Sequence, residues 1–132
     1  MGNWLKYEDT VVEKLGKVLG VDPQDVGISA SLTIGMHSLL STFYKPDGKR
    51  NKIILFESEF TSDIIAAESW IDIFRLERKS LLLSKVSDKE PDVAIDNILK
   101  LIDEHKDSIS IIAISLVSSH FSHYYDVKRL ME

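Results

Sequence analysis

The run Lys52-Ile53-Ile54-Leu55-Phe56 constrains this chain more than any other feature, because it is apolar at consecutive positions rather than alternating ones. A strand with one wet face alternates. A strand buried on both faces does not, and strands of that kind belong to parallel sheets covered by helices. The segment from Ile109 to Val117 repeats the pattern without Pro or Gly, and residues 80–84 read as a further strand. Strands alternating with helical segments predict βαβ units, hence an α/β fold with a parallel or mixed sheet and flanking helices.

The helical segments carry their own punctuation. Trp4, Val11, Val12, Leu15, Val18 and Leu19 share one face of a helix over 5–19, which Gly20 stops; Asp22-Pro23 then forms a short turn or helical loop. Ser31 is placed to cap a second helix reaching residue 44, with Leu32, Met36, Leu39, Leu40 and Phe43 as its apolar positions. Lys45-Pro46-Asp47-Gly48 is a helix-ending turn. Thr61 or Ser62 can cap a third helix to residue 76, with Ile65, Trp70, Ile73 and Phe74 facing the core. Pro91 opens a fourth containing Val93, Ile95, Ile98, Leu99 and Ile102, and a short helix closes the chain from Tyr125.

With 132 residues, 44% of them hydrophobic, the whole of 1–132 reads as one unit. Three strands fall short of the roughly 4–6 of an ordinary sheet. The sheet is therefore expected to be incomplete, with edges at Ile54 and Ile112 lacking a neighbour on at least one side.

Several function classes drop out on composition. Lys plus Arg is 16 against 21 Asp plus Glu, a net charge of −5, so no basic field exists to attract nucleic acid. With no cysteine there is neither a disulfide framework, nor a Cys zinc site, nor a thiol nucleophile. No signal-peptide pattern opens the chain, and Ile111-Ile112-Ala113-Ile114 is too short to span a bilayer. The expectation is a soluble, cytoplasmic protein with no membrane partner.

His120-Phe121-Ser122-His123 with Asp126 could hold a metal if helical, but it follows a strand and its plainer reading is a solvated, His-rich loop, so no metal site is assigned. Ser115, Ser118 and Ser119 lie near those histidines without the G-x-S-x-G of a nucleophile elbow. Two other places carry more. Ser31 and Thr33 open a helix whose free N–H groups suit a phosphate. Phe60-Thr61-Ser62-Asp63 follows a strand at the end where open parallel sheets bind ligands. There an aromatic ring and a carboxylate could stack on a planar cofactor and pair with a ring nitrogen, although caps and core are the plainer roles for these residues.

Ser31-Leu32-Thr33-Ile34, Phe43-Tyr44-Lys45-Pro46, Lys49-Arg50, Lys52-Ile53 and Phe60-Thr61-Ser62-Asp63 together resemble the kynureninase family. Its pattern runs roughly N-x-L-T-V-N-L-H, S-F-Y-K-P-T, K-R-x-K-I-L and A-F-P-S-D. A looser similarity continues to Val117, so the resemblance covers nearly the whole chain. It implies part of the large domain of an aspartate-aminotransferase-like (PLP fold type I) homodimer, which hydrolyses L-kynurenine to anthranilate and L-alanine with pyridoxal 5'-phosphate. By resemblance, Leu32 and Thr33 hold the cofactor phosphate, Phe60 stacks on the ring, Asp63 is a cofactor-site aspartate and Ser115 lies close to the cofactor. His37 matches a motif histidine without an assigned role.

The departures set further expectations. Gly35 stands where the pattern has Asn, Thr61 where it has Pro, and Ser118-Ser119-His120-Phe121-Ser122-His123 departs from the family's Y-T-G-Q loop. The D-x-A-H and S-Y-K-Y-L-N blocks, the second carrying the lysine that bonds the cofactor, have no counterpart here. No catalytic residue is assigned, and the chain is expected to be inactive alone. The alternatives are a non-catalytic binding or oligomerisation module descended from such an enzyme, pairing with itself or a full-length relative, and an unrelated small α/β domain.

Overall fold

The consecutive apolar run forms β1, Lys52–Phe56, the middle strand of a three-stranded sheet of order β2-β1-β3. The computed structural model describes residues 8–87 and 90–132. β2 is Leu81–Ser84 and β3 is Ile109–Ile112, and both pair with β1 in parallel. Ile54 therefore lies at the sheet's centre, not at an edge as expected, because the most apolar run takes the position covered on every side. Ile112 does lie on an edge strand.

Four α-helices are present among the described residues: α1 (Asp9–Leu19), α2 (Leu32–Phe43), α3 (Thr61–Ile73) and α4 (Pro91–His105). Alternate residues of β1 enter different cores. Ile54 and Phe56 pack with Ala94, Ile95 and Ile98 of α4 and with Tyr125. Ile53 and Leu55 pack with Leu40 and Tyr44 at the end of α2 and with Ala67 and Ile71 of α3. Each buried branched or aromatic side chain contributes about 1.5–3 kcal/mol, so β1 anchors both layers of an α/β/α arrangement.

The chain divides into two compact units, Met1–Gly35 and Met36–Glu132. The second contains the sheet. In the first, α1 ends at Gly20 with φ 72°, the left-handed conformation expected of a helix stop. A Cβ at Gly16 would lie 3.0 Å from the Val21 carbonyl oxygen and 3.1 Å from the Pro23 ring, so a larger residue there would need the following turn to give by a few tenths of an ångström. A 3-10 turn over Pro23–Asp25 follows, its first N–H groups capped by Asp22. The expected buried face of α1 is largely open: Val11, Val18 and Leu19 are exposed and Gly16 alone is buried. Trp4 and Leu5, expected in the same helix, lie outside the described residues.

Two further expectations are corrected. Phe60, in extended conformation, occupies the N-cap of α3 with no side-chain cap, so neither Thr61 nor Ser62 plays that part. The buried positions of α3 are Asp63, Ala66, Ala67 and Ile71, while Ile65 and Ile73 are exposed; the alanines admit a close approach to the sheet that larger residues would prevent. β3 ends at Ile112 rather than Val117. The Ala113 N–H still donates to the Ile54 carbonyl at 2.9 Å, but the next bonds leave the ladder. Val117 instead forms an isolated antiparallel bridge with Tyr124, and a 3-10 turn over Val127–Leu130 replaces the terminal helix.

Candidate functional site

Ligands of open parallel sheets bind beyond the carboxyl ends of the strands. At that end here, the loop leaving β1 contributes two glutamates. Glu57 accepts from the Val86 N–H at 3.1 Å, and its own N–H donates to the Ser84 carbonyl at 2.9 Å, so it is tied to the exit of β2. Glu59 is buried and is tied to the exit of β3: one carboxylate oxygen accepts the Ser115 N–H at 2.7 Å, the other the Ser115 hydroxyl at 2.5 Å. Residues 56 positions apart in sequence are thereby held side by side.

Phe60 follows Glu59 at the head of α3, and its side chain is 54% exposed. Asp63 lies in the first turn of the same helix, buried, where a negative charge meets the positive end of the helix dipole. Its N–H donates to the Phe60 carbonyl at 2.9 Å, and the Ser62 hydroxyl makes a long contact with its carboxylate at 3.4 Å. Phe60, Asp63 and Ser115, singled out from sequence, thus occupy one end of the sheet, with Glu59 the residue that sequence reading missed. Its signal was only that a glutamate stands where the A-F-P-S-D pattern has alanine.

On the other side of Phe56, the hydroxyls of Ser84 and Tyr125 are buried and have no hydrogen-bond partner among the described residues. Tyr125 lies against Phe56, ring centroids 4.5 Å apart. A cleft of about 220 Å³ that includes Lys52, Arg75 and Lys79 opens at the opposite, amino end of β1 and contains none of the residues named for the site.

In the first unit, Leu32 and Thr33 open α2. Ser31 caps this helix, its hydroxyl accepting the Ile34 N–H at 3.2 Å. Leu32 is exposed and Thr33 half-buried. His37 has a packing role: the Trp70 indole N–H donates to its Nδ1 at 3.0 Å, which makes that nitrogen the acceptor. His120 and His123 lie in a turn, each with its ring about 6 Å from that of Phe121. Among the described residues no three His, Asp or Glu side chains are grouped to hold a metal ion, and no helix is long and apolar enough to cross a membrane.

The chain is thus an α/β segment whose aromatic, carboxylate and hydroxyl groups lie at the end of the sheet where open parallel sheets bind ligands. No family model matches the chain. Individual relatives do: it is 34% identical to a kynureninase of Mus musculus over 85% of its length, and 32% identical to a kynureninase of Dictyostelium discoideum over 98%. It is also 29% identical to kynureninase 2 of Aspergillus terreus over 100%. The chain spans less than a third of these relatives, 24% to 29% of their length. The chain belongs to the kynureninase family and corresponds to a segment of its members. Its α/β architecture is accordingly part of an aspartate-aminotransferase-like fold.

The family implies pyridoxal 5'-phosphate, and the residues present suit that group's chemistry. In the second unit the exposed ring of Phe60 matches a planar heterocycle, and Ser115 retains an acceptor oxygen after donating to Glu59; within the first, the head of α2 is a helix start of the kind that suits phosphate oxygens.

Proposed function

We propose that this chain is the cofactor-holding segment of a kynureninase-type hydrolase, one that splits L-kynurenine into anthranilate and L-alanine with pyridoxal 5'-phosphate. The observation that carries this reading is the bonding of Glu59 to Ser115, which ties the exit of β3 to the loop from which Phe60 and Asp63 follow. In this reading the whole of 1–132 is one stretch of the large domain. Leu32 and Thr33 bind the phosphate, Phe60 packs on the ring, and Asp63 and Ser115 present a carboxylate and a hydroxyl to its polar atoms. The chemistry the cofactor supplies when bound is that of an electron sink.

The chain alone does not turn over kynurenine in this reading. Lys45, Lys49 and Lys52 belong to the turn before β1 and to its first residue, at the end of the strand away from Phe60. Lys85 leaves β2 at the carboxyl end, exposed, with its carbonyl accepting from the Asn97 amide at 3.1 Å. The test is to incubate the chain with pyridoxal 5'-phosphate and kynurenine, follow anthranilate fluorescence, and locate any lysine adduct by reductive trapping and mass spectrometry. The reading expects cofactor binding without anthranilate and without a specific adduct. Anthranilate formation, or stoichiometric trapping on Lys85, overturns the incompleteness, and absence of any cofactor binding overturns the site.

One observation favours a second reading, a kynureninase-derived module that associates with itself or with a full-length relative. Leu39 and Phe43 of α2 are 61% and 67% exposed, two large apolar side chains one helical turn apart that a second surface could cover. Light scattering across a concentration series separates the two: the module self-associates to a defined size, whereas an enzyme segment stays monomeric or aggregates without one.

A further inference from the structure

Glu59 is buried, and both of its carboxylate oxygens are engaged by one residue, Ser115, through its N–H at 2.7 Å and its hydroxyl at 2.5 Å. A serine hydroxyl has one hydrogen and two lone pairs. With the hydrogen committed to Glu59, the oxygen can only accept on its remaining side. We propose that Glu59 is a positioning residue that locks Ser115 as a hydrogen-bond acceptor, so that the ligand atom seated against Ser115 must carry a hydrogen. This rests on the function proposed above and deepens it. The charge-assisted pair also fixes the loop from which Phe60 and Asp63 follow, so the ring face and the acceptor are set by one side chain.

Neutral isosteric substitution reverses the polarity. In Glu59→Gln the amide oxygen still accepts the Ser115 N–H, while the amide NH2 faces the hydroxyl and turns its hydrogen outward. Ser115 then meets the ligand as a donor. Ser115→Ala removes the acceptor altogether and leaves the carboxylate in place.

The probe is pyridoxine 5'-phosphate, which has no aldehyde and so cannot bond to lysines, added to the full chain. Affinity is read by equilibrium dialysis, and the protonation of the bound ring by its ultraviolet spectrum across a pH series. In the wild-type chain the acceptor holds the hydrogen on the ring, so the bound probe deprotonates at higher pH than the free one. Glu59→Gln is expected to weaken binding about tenfold, consistent with loss of a charge-assisted hydrogen bond, and to move the deprotonation midpoint down by about one unit. Ser115→Ala should act in the same direction, and the double variant should lose no more than either single one. A brace with a purely structural role would lower affinity and leave the midpoint alone.

Binding with an unmoved midpoint in both variants overturns the role of Glu59 while leaving the proposed function standing. Absence of probe binding by the wild-type chain overturns the proposed function, and the ligand-directed role of Glu59 with it. If Glu59→Gln does not fold, as judged by circular dichroism, Ser115→Ala decides alone by the same midpoint.

Discussion

The two ends of one small sheet are fastened by different chemistry. At the amino end the bonds that join separate segments end on backbone carbonyls: Asn51 and Lys52 both donate to Ser108 at 2.9 Å, the Tyr44 hydroxyl to Asn51 at 2.6 Å, and Arg50 Nε to Ile109 at 3.0 Å. At the carboxyl end side-chain carboxylates join the backbone acceptors: Glu57 takes the Val86 N–H, and Glu59 takes both the N–H and the hydroxyl of Ser115. Backbone carbonyls are present whatever the sequence, so the amino end can lose a side chain and keep its acceptors. The carboxyl end depends on particular residues, which is the condition under which a ligand site can be tuned or lost by single substitutions.

The comparison is tested most severely at Phe56, the last residue of β1, fully buried and packed against the tilted ring of Tyr125. Phe56→Ala should cost about 3–5 kcal/mol in urea unfolding, as large-to-small changes in cores do. A loss under about 1 kcal/mol would mean that packing at the carboxyl end does not run through this ring. Glu59→Ala should come next. It leaves the Ser115 N–H and hydroxyl without their acceptor, at about 1–3 kcal/mol, whereas Arg50→Ala at the amino end removes a single donor to the Ile109 carbonyl and should cost less. Equal losses for the two would remove the contrast between the ends.

Much of this framework was legible because it depends on neighbours in sequence. The apolar run of β1, the stop at Gly20, the cap at Ser31 and the opening of α4 at Pro91 are local signals, and each coincides with an element or its boundary. What escaped depends on distant partners. Residues 113–117 are as apolar as β3 itself, yet β1 ends at Phe56 and the Ser115 N–H goes to Glu59 instead of a neighbouring strand, a distant pairing no spacing rule can foresee. The inner face of α3 was misjudged because size, not hydrophobicity, selects Ala66 and Ala67 for close approach. Phe60 and Asp63 stood out by their place after a strand and Ser115 by resemblance, and Asp63 is buried in the first turn of α3 where an ordinary cap was the plainer expectation.

At the amino end the largest single contribution should come from Tyr44, whose phenol is buried and donates to the Asn51 carbonyl. Burial pushes its pKa up to about 12. The folded state thus holds the proton more tightly than the unfolded chain, in which a tyrosine titrates near pH ~10. The stabilisation is complete below pH ~10 and is lost as pH rises through about 12. Tyr44→Phe should cost about 1 kcal/mol at neutral pH and flatten the alkaline limb of the stability profile. An unchanged limb would place the alkaline transition elsewhere.

The smallest effect belongs to Asp47, in the exposed turn that delivers β1. Its carboxylate accepts the Arg50 N–H at 2.6 Å and the Lys49 N–H at 2.9 Å, and these two bonds, that to Arg50 first, hold its pKa below the usual carboxylate value. A lowered folded-state pKa contributes stability that is present above the unfolded value and disappears as pH falls through the folded one. Asp47→Asn keeps an acceptor oxygen but removes the charge, so wild type and variant should differ by a small constant amount at neutral pH and converge in acid. Urea midpoints from neutral pH down through the carboxylate range measure this directly. A gap that persists in acid would trace the difference to turn geometry rather than charge, and a gap as large as that of Glu59→Ala would show the amino end to be no more tolerant of side-chain loss than the carboxyl end.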